Sequence, residues 1–126
     1  MAKKVLIIDD DPYLSEAYRV KFEVAGFSIE QAFDGKSGFE KAKSSHPDVI
    51  LLDIIMPLNS GLETLEKLKI DAETKEIPVL TLTNFGSEEN VKKSFELGAV
   101  DFLMKYRFTP EEVVEKVKKV ITPTTA

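Results

Sequence analysis

Apolar and polar positions follow two periods along the chain. Five short runs are rich in β-branched and apolar residues: Lys4–Asp9, Phe27–Phe33, Asp48–Asp53, Ile77–Thr83 and Ala99–Lys105. Val49-Ile50-Leu51-Leu52 and Val79-Leu80-Thr81-Leu82-Thr83 are nearly continuous in apolar residues, the pattern of parallel strands covered on both faces. Between the runs, apolar residues recur at helical spacing. Leu14, Ala17, Tyr18, Phe22 and Ala25 follow Asp11-Pro12, an N-cap and a first-turn proline, and Gly26 ends that helix. Ser37 to Ser44 and Leu62 to Ile70 read as two further helices. Ser87-Glu88-Glu89 opens a fourth with a cap and an acidic first turn, and Gly98 closes it. Thr109-Pro110-Glu111-Glu112 forms a capping box for the fifth. Lys116, Lys118 and Lys119 sit where that helix dipole favours cations, and a solvated last turn accounts for them.

The order is therefore βα repeated five times, with no internal repeat and no linker. Such alternation predicts an α/β fold: one doubly wound domain, a parallel five-stranded sheet with helices on both faces and right-handed crossovers. The domain is expected over residues 1–121. Residues 122–126, Thr-Pro-Thr-Thr-Ala, read as a short flexible tail or the start of a linker.

Composition narrows the function classes. The 126 residues suffice for one domain with a real core. Lys plus Arg number 17 and Asp plus Glu 22, a net charge of −5. A nucleic-acid module usually shows a basic excess, so direct nucleic-acid binding is not expected. There is no cysteine, which excludes disulfides and thiolate chemistry. No signal peptide or membrane-length apolar stretch is visible, so the expected location is cytoplasmic with no membrane contact.

Polar residues gather at one end of the strands. In open α/β sheets ligands bind beyond the carboxyl strand ends. The first strand ends in Asp9-Asp10, the third in Asp53, the fourth in Thr83 and the fifth in Lys105. Three carboxylates in one pocket suit a hard divalent cation that offsets their repulsion: Mg²⁺, with Mn²⁺ as the other candidate. A lysine and a threonine hydroxyl beside them suit an anion. These are the parts needed for phosphoryl transfer, with a carboxylate as nucleophile. Asp53, on the central strand with Thr83 and Lys105 near, is the expected acceptor, and Asp9 and Asp10 fit better as metal ligands. Asp11 is read as a cap. Asp101 is read as a cap or solvent-facing group, His46 before Pro47 as a turn residue, and Met56 and Met104 as core or pocket lining.

From Lys4 to about Ile121 the chain resembles the receiver domain of two-component response regulators. The resemblance rests on Asp9-Asp10, on "DVILLDIIMPLNSGLE" (Asp48 to Glu63), on "IPVLTLT" (Ile77 to Thr83) and on "ELGAVDFLMK" (Glu96 to Lys105). It implies a flavodoxin-like fold with strand order 2-1-3-4-5. It implies that Asp53 takes a phosphoryl group from a sensor histidine kinase or a histidine phosphotransfer protein. Asp10 and Asp53 would bind Mg²⁺ directly, Asp9 mostly through water, and the Ile55 carbonyl would complete the protein ligands. Thr83 would move to the phosphoryl group, Lys105 would bridge to it, and Phe102 would take the place of the switch aromatic. The surface of the fourth helix, last strand and last helix would then act on a downstream protein or an output domain missing from this chain. The protein would be a phosphoacceptor that assists its own reactions rather than an enzyme, and a monomer or phosphorylation-dependent dimer. Pro57 would fix the loop after the acceptor, and Gly61 would permit close approach or positive φ.

The sequence also departs from the family. Tyr106 follows Lys105 where most receivers carry proline, which leaves the placement of Lys105 in question. Asn84 follows Thr83 where a small residue is usual; it either narrows access to Asp53 or donates to the phosphoryl group. Ile55 and Phe85 occupy the two variable positions beside the acceptor and the threonine. Both are apolar and unable to orient water, so slow hydrolysis of the phosphorylated form is expected. The alternative is a degenerate receiver acting as a phosphorylation-independent binding module. An aspartate-nucleophile phosphatase would need threonine where Tyr13 stands, and a flavodoxin-like carrier lacks its phosphate loop after the first strand.

Overall fold

The computed structural model describes residues 2–56, 60–84 and 87–121. The sequence expectations for Pro57, Phe85 and the 122–126 tail fall outside the described residues. The order is β1 (Lys4–Ile8), α1 (Pro12–Val24), β2 (Ser28–Ala32), α2 (Gly35–Ser45), β3 (Val49–Asp53), α3 (Gly61–Ile70), β4 (Val79–Thr83), α4 (Glu88–Glu96), β5 (Asp101–Met104) and α5 (Pro110–Ile121). A 3₁₀ turn, Lys105–Arg107, joins β5 to α5. The strands are all parallel, in the order β2-β1-β3-β4-β5. This is the expected (βα)₅ topology.

Alternation along buried strands divides the core into two layers. Val5, Ile7, Val49, Leu51, Leu80, Leu82 and Leu103 pack with Tyr18 and Phe22 of α1 and Val113, Val114 and Val117 of α5. Their neighbours Leu6, Ile8, Ile50, Leu52 and Val79 face the other way, onto Ala42 of α2 and Leu65 and Leu68 of α3. Each fully buried Leu, Ile or Val contributes about 1.5–3 kcal/mol, so the central strands dominate stability. β2, at an edge, is only partly buried.

Caps set the helix starts. Asp11 Oδ1 accepts from the amides of Tyr13 and Leu14 at 3.0 and 3.2 Å. Asp34 Oδ1 accepts from the Ser37 amide at 2.8 Å, so α2 begins at Gly35, two residues before the expected Ser37. Ser60 caps α3, which begins at Gly61 rather than Leu62. Thr109 and Glu112 form the reciprocal capping box, at 2.9 and 3.2 Å. The strands are one to three residues shorter than their apolar runs, and Asp9 and Lys105 lie just past the strand ends, where they serve the loops. Gly26 and Gly98 take φ of +96° and +106° after their helices. His46, exposed, caps α2 at φ 48°.

Gly61 does not take positive φ. A Cβ there would lie 2.2 Å from the Asp53 carbonyl oxygen, so its role is close approach to β3. No helix among the described residues is long and apolar enough to cross a membrane.

Candidate functional site

The sheet register assembles the site. Ile8 lies beside Leu52, so the following residues, Asp9 and Asp53, emerge together. Asp53 pairs with Leu82, placing Thr83 one step beyond, and Thr83 pairs with Met104, immediately before Lys105. The result is a pocket of about 370 Å³ lined by Asp10, Asp11, Asp53, Ile55, Met56, Thr83, Asn84 and Lys105. Asp9, 1% exposed, lies buried beside this pocket.

Local backbone orients both buried carboxylates in the same way. Asp9 Oδ1 accepts from the Asp11 amide at 2.9 Å, and Asp53 Oδ1 accepts from the Ile55 amide at 3.0 Å. Each is an Asx turn, in which a strand-end aspartate receives the amide two residues on. The other oxygens face Lys105. Its Nζ is 3.1 Å from Asp53 Oδ2 and 2.8 Å from Asp9 Oδ2. All three side chains are at most 6% exposed. The contact to Asp53 is a well-aligned hydrogen bond, whereas Asp9 Oδ2 meets the ammonium off-axis and has no aligned donor.

One cation therefore faces two buried carboxylates, with the more open Asp10 adding a third. Burial pushes the Asp53 carboxyl up to about 6, against the pull of Lys105 and the Ile55 amide, and the charge of Asp9 adds to the rise. For Lys105, burial favours the neutral amine, but the bonds and charges of Asp9 and Asp53 outweigh it and hold the ammonium above its ordinary range. The two directions agree: the lysine is well satisfied, and the surplus negative charge falls on Asp53. Tyr18 of α1 feels the same surplus. Its phenol is held above the usual range by burial and then by Asp9, Asp53 and Asp11.

The cluster fits a hard cation. One carboxylate oxygen from each of Asp9, Asp10 and Asp53 can be chosen so that all lie within 4.8 Å of one another. Asp9 Oδ2 is buried 2.8 Å from the Lys105 ammonium without an aligned hydrogen bond, so a metal ion bound there would share that oxygen with the lysine. Oxygen donors of this kind suit Mg²⁺.

The remaining expected residues are distributed around this centre. Thr83 is fully buried at the end of β4, and Asn84 is exposed at the pocket rim. The Ile55 side chain is exposed, and Met56 serves both the pocket wall and the core. Phe102 is half-buried and pairs in register with Thr81. Asp101 Oδ1 accepts from the Phe102 amide at 2.8 Å at the start of β5, outside the pocket lining. No peptide bond among the described residues is cis. The chain turns through Lys105–Arg107 with the lysine head in the pocket, so Tyr106 at the proline position does not displace it. Sequence reasoning passed over the amides of Asp11 and Ile55 as orienting donors. Their signal was an aspartate at a strand end entering a turn.

Comparison with known proteins agrees with this geometry. The family model described as "Response regulator receiver domain" matches residues 5–118. The DNA-binding dual master transcriptional regulator RpaA of a Synechocystis species is 37% identical over 121 residues, covering 96% of this chain and 50% of that protein. The phosphate regulon transcriptional regulatory protein PhoB of Escherichia coli is 35% identical, covering 96% of this chain and 52% of its own length. The chain thus spans about half the length of the curated relatives it matches. Among solved structures, the chemotaxis protein CheY4 of Vibrio cholerae superposes with a TM-score of 0.88 at 30% identity, over 95% of this chain and 99% of that one. A CheY-like receiver domain protein from Methanospirillum hungatei gives 0.89 at 28%, over 96% and 94%.

Proposed function

Because the chain belongs to the response regulator receiver domain family of two-component systems, we propose that Asp53 is its phosphoacceptor and that phosphorylation there drives a signalling switch. The observation that carries this reading is the meeting of Asp53, Lys105 and two further carboxylates at one strand edge, with Lys105 Nζ 3.1 Å from Asp53 Oδ2. An Asp53 oxygen forms the new O–P bond as the N–P bond of a phosphohistidine breaks, and the imidazole nitrogen keeps the electron pair. Lys105 moves its charge from the carboxylate to the incoming phosphoryl oxygens, and the Thr83 hydroxyl donates to another. The Ile55 amide holds the second Asp53 oxygen in place meanwhile. Asp9, Asp10, Asp53 and the Ile55 carbonyl would hold Mg²⁺, which when bound neutralises charge on the carboxylates and the transferred group.

The phosphodonor is a sensor histidine kinase or a histidine phosphotransfer protein. The phosphoryl group biases two conformations of one domain, read out through α4, β5 and α5 by a downstream protein or an output domain. Thr83 and Phe102 are the moving residues. Nothing outside the chain is turned over, so the protein is a phosphoacceptor rather than an enzyme. It acts in the cytoplasm. With a net charge of −5, this segment does not itself bind nucleic acid.

The test is intact mass after incubation with acetyl phosphate and Mg²⁺, with Asp53→Asn and metal-free samples alongside. One added phosphoryl group, absent from both controls, is expected. No addition together with no metal binding would replace this reading with a phosphorylation-independent binding module.

A further inference from the structure

α4 is seated differently from α1, α3 and α5. α1, α3 and α5 each bury large apolar side chains against the sheet, whereas Ser94 is the one fully buried residue of α4. Val91 and the C-cap Leu97 are half-buried, and Phe95 is exposed. The polar seat is occupied by hydroxyls. Ser94 Oγ and Thr81 Oγ1 lie 2.8 Å apart, both fully buried, and Thr81 Oγ1 donates to the Asp101 carbonyl at 3.2 Å. A threonine hydroxyl carries one proton. Since it goes to Asp101, Ser94 must be the donor to Thr81. A single directed relay therefore runs from α4 through β4 to β5.

This relay ends beside both moving residues. Thr81 lies two residues before Thr83 on β4, and Asp101 immediately precedes Phe102 on β5. Thr81 also pairs in register with Phe102. We propose that the Ser94–Thr81–Asp101 hydroxyl relay is a latch that holds α4 on the sheet in the unphosphorylated protein and sets how readily the domain switches. The proposal rests on the phosphoacceptor reading for its second half only. A buried helix anchored by hydrogen bonds rather than apolar contact is easy to release, because the lost bond costs little once both partners are gone or rehydrated. Its strength is that of one or two buried hydrogen bonds, a factor of about two to ten in the latched-to-released ratio.

Three variants test it: Thr81→Val, Ser94→Ala and the double variant. The double variant removes both hydroxyls and leaves neither orphaned, so it remains informative if a single variant folds poorly. Amide hydrogen exchange over residues 88–97 is measured without Mg²⁺ or phosphodonor, with the β1 and β3 amides as internal reference. Exchange in α4 is expected to rise about two- to tenfold in each single variant, and by less in the double variant, while the reference strands hold. Affinity for beryllofluoride with Mg²⁺, a phosphoryl mimic, is then expected to tighten by a similar factor. Unchanged α4 exchange in all three variants overturns the latch. Faster exchange with unchanged beryllofluoride affinity overturns its part in switching and leaves the relay a structural anchor. If the wild-type protein binds no beryllofluoride, the phosphoacceptor reading fails and the switching role with it, while the exchange result still decides whether the relay holds α4.

Discussion

Replacing Asp53 by asparagine separates what the acidic pocket costs the fold from what it does. Burial pushes the Asp53 carboxyl from the ordinary 3.8 to about 6. Between those values the folded chain binds more protons at this site than the unfolded chain. The site's contribution to stability is therefore greatest below about pH 4 and declines as pH rises through about 4 to 6. Two units correspond to about 3 kcal/mol at most, at about 1.4 kcal/mol per unit. Solvent at the pocket mouth screens part of it, leaving about 1–2 kcal/mol. Asparagine has nearly the same shape and carries no charge, and its one oxygen can still accept from the Ile55 amide while Lys105 keeps its contact with Asp9. Metal-free Asp53→Asn should then be more stable than wild type at pH 7.5, with a melting temperature higher by about 4–8 °C. The gain should shrink toward zero by pH 4. Saturating Mg²⁺ should reverse the order: a ligand at a hundredfold its dissociation constant adds about 2.7 kcal/mol, and the variant has lost one ligand. Thermal unfolding by circular dichroism from pH 4 to 8, with chelator and then with Mg²⁺, measures all of this. A variant no more stable than wild type at pH 7.5, or a gain that does not change with pH, would refute the reasoning.

Three shorter tests address other parts of the site. Lys105→Ala should slow phosphorylation by acetyl phosphate by about 10²-fold, the usual cost of one preorganised charge donor, while Mg²⁺ titration shows binding retained. Ile55→Asn should shorten the phosphoaspartate lifetime about tenfold by offering an amide to orient water where an exposed apolar side chain stands; a lifetime followed by mass that is already short and does not change would sink this. Gly61→Ala should destabilise by about 2 kcal/mol or more in urea unfolding, because its Cβ would meet backbone at 2.2 Å.

Much of the architecture was readable because the strands are buried on both faces. Val49 to Leu52 and Val79 to Leu82 are buried on both sides and apolar apart from Thr81, the pattern of a parallel sheet between helix layers. Boundaries were less readable. Apolarity continues past the ladder at Phe27, Phe33 and Ile77, whereas pairing ends where capping residues and tight turns take the backbone away. The start of α2 at Gly35 followed from Asp34 as cap, which outweighed the poor helix propensity of glycine.

The site and the relay differ in how much tertiary information each needs. Asp9, Asp53, Thr83 and Lys105 stand at strand ends, and parallel strands deliver strand ends to one edge whatever the packing of the helices. Their convergence follows from topology alone. Gly61 is intermediate: the sequence marks a special backbone, and only the fold shows that close approach to Asp53, rather than positive φ, requires it. Thr81 and Ser94 carry no such mark. A threonine in a strand and a serine in a polar helix are ordinary, and their meeting depends on the rotation of α4 over β4. Yet a polar seat can be stable only when its hydroxyls are mutually satisfied, since each left alone and buried would cost about 1–3 kcal/mol. The chain accepts that requirement at the helix near Thr83 and Phe102, the residues proposed to switch, while α1, α3 and α5 are fixed by large apolar side chains. Where a domain must hold one element loosely and the rest firmly, the difference lies in which helix is seated by hydrogen bonds instead of apolar contact.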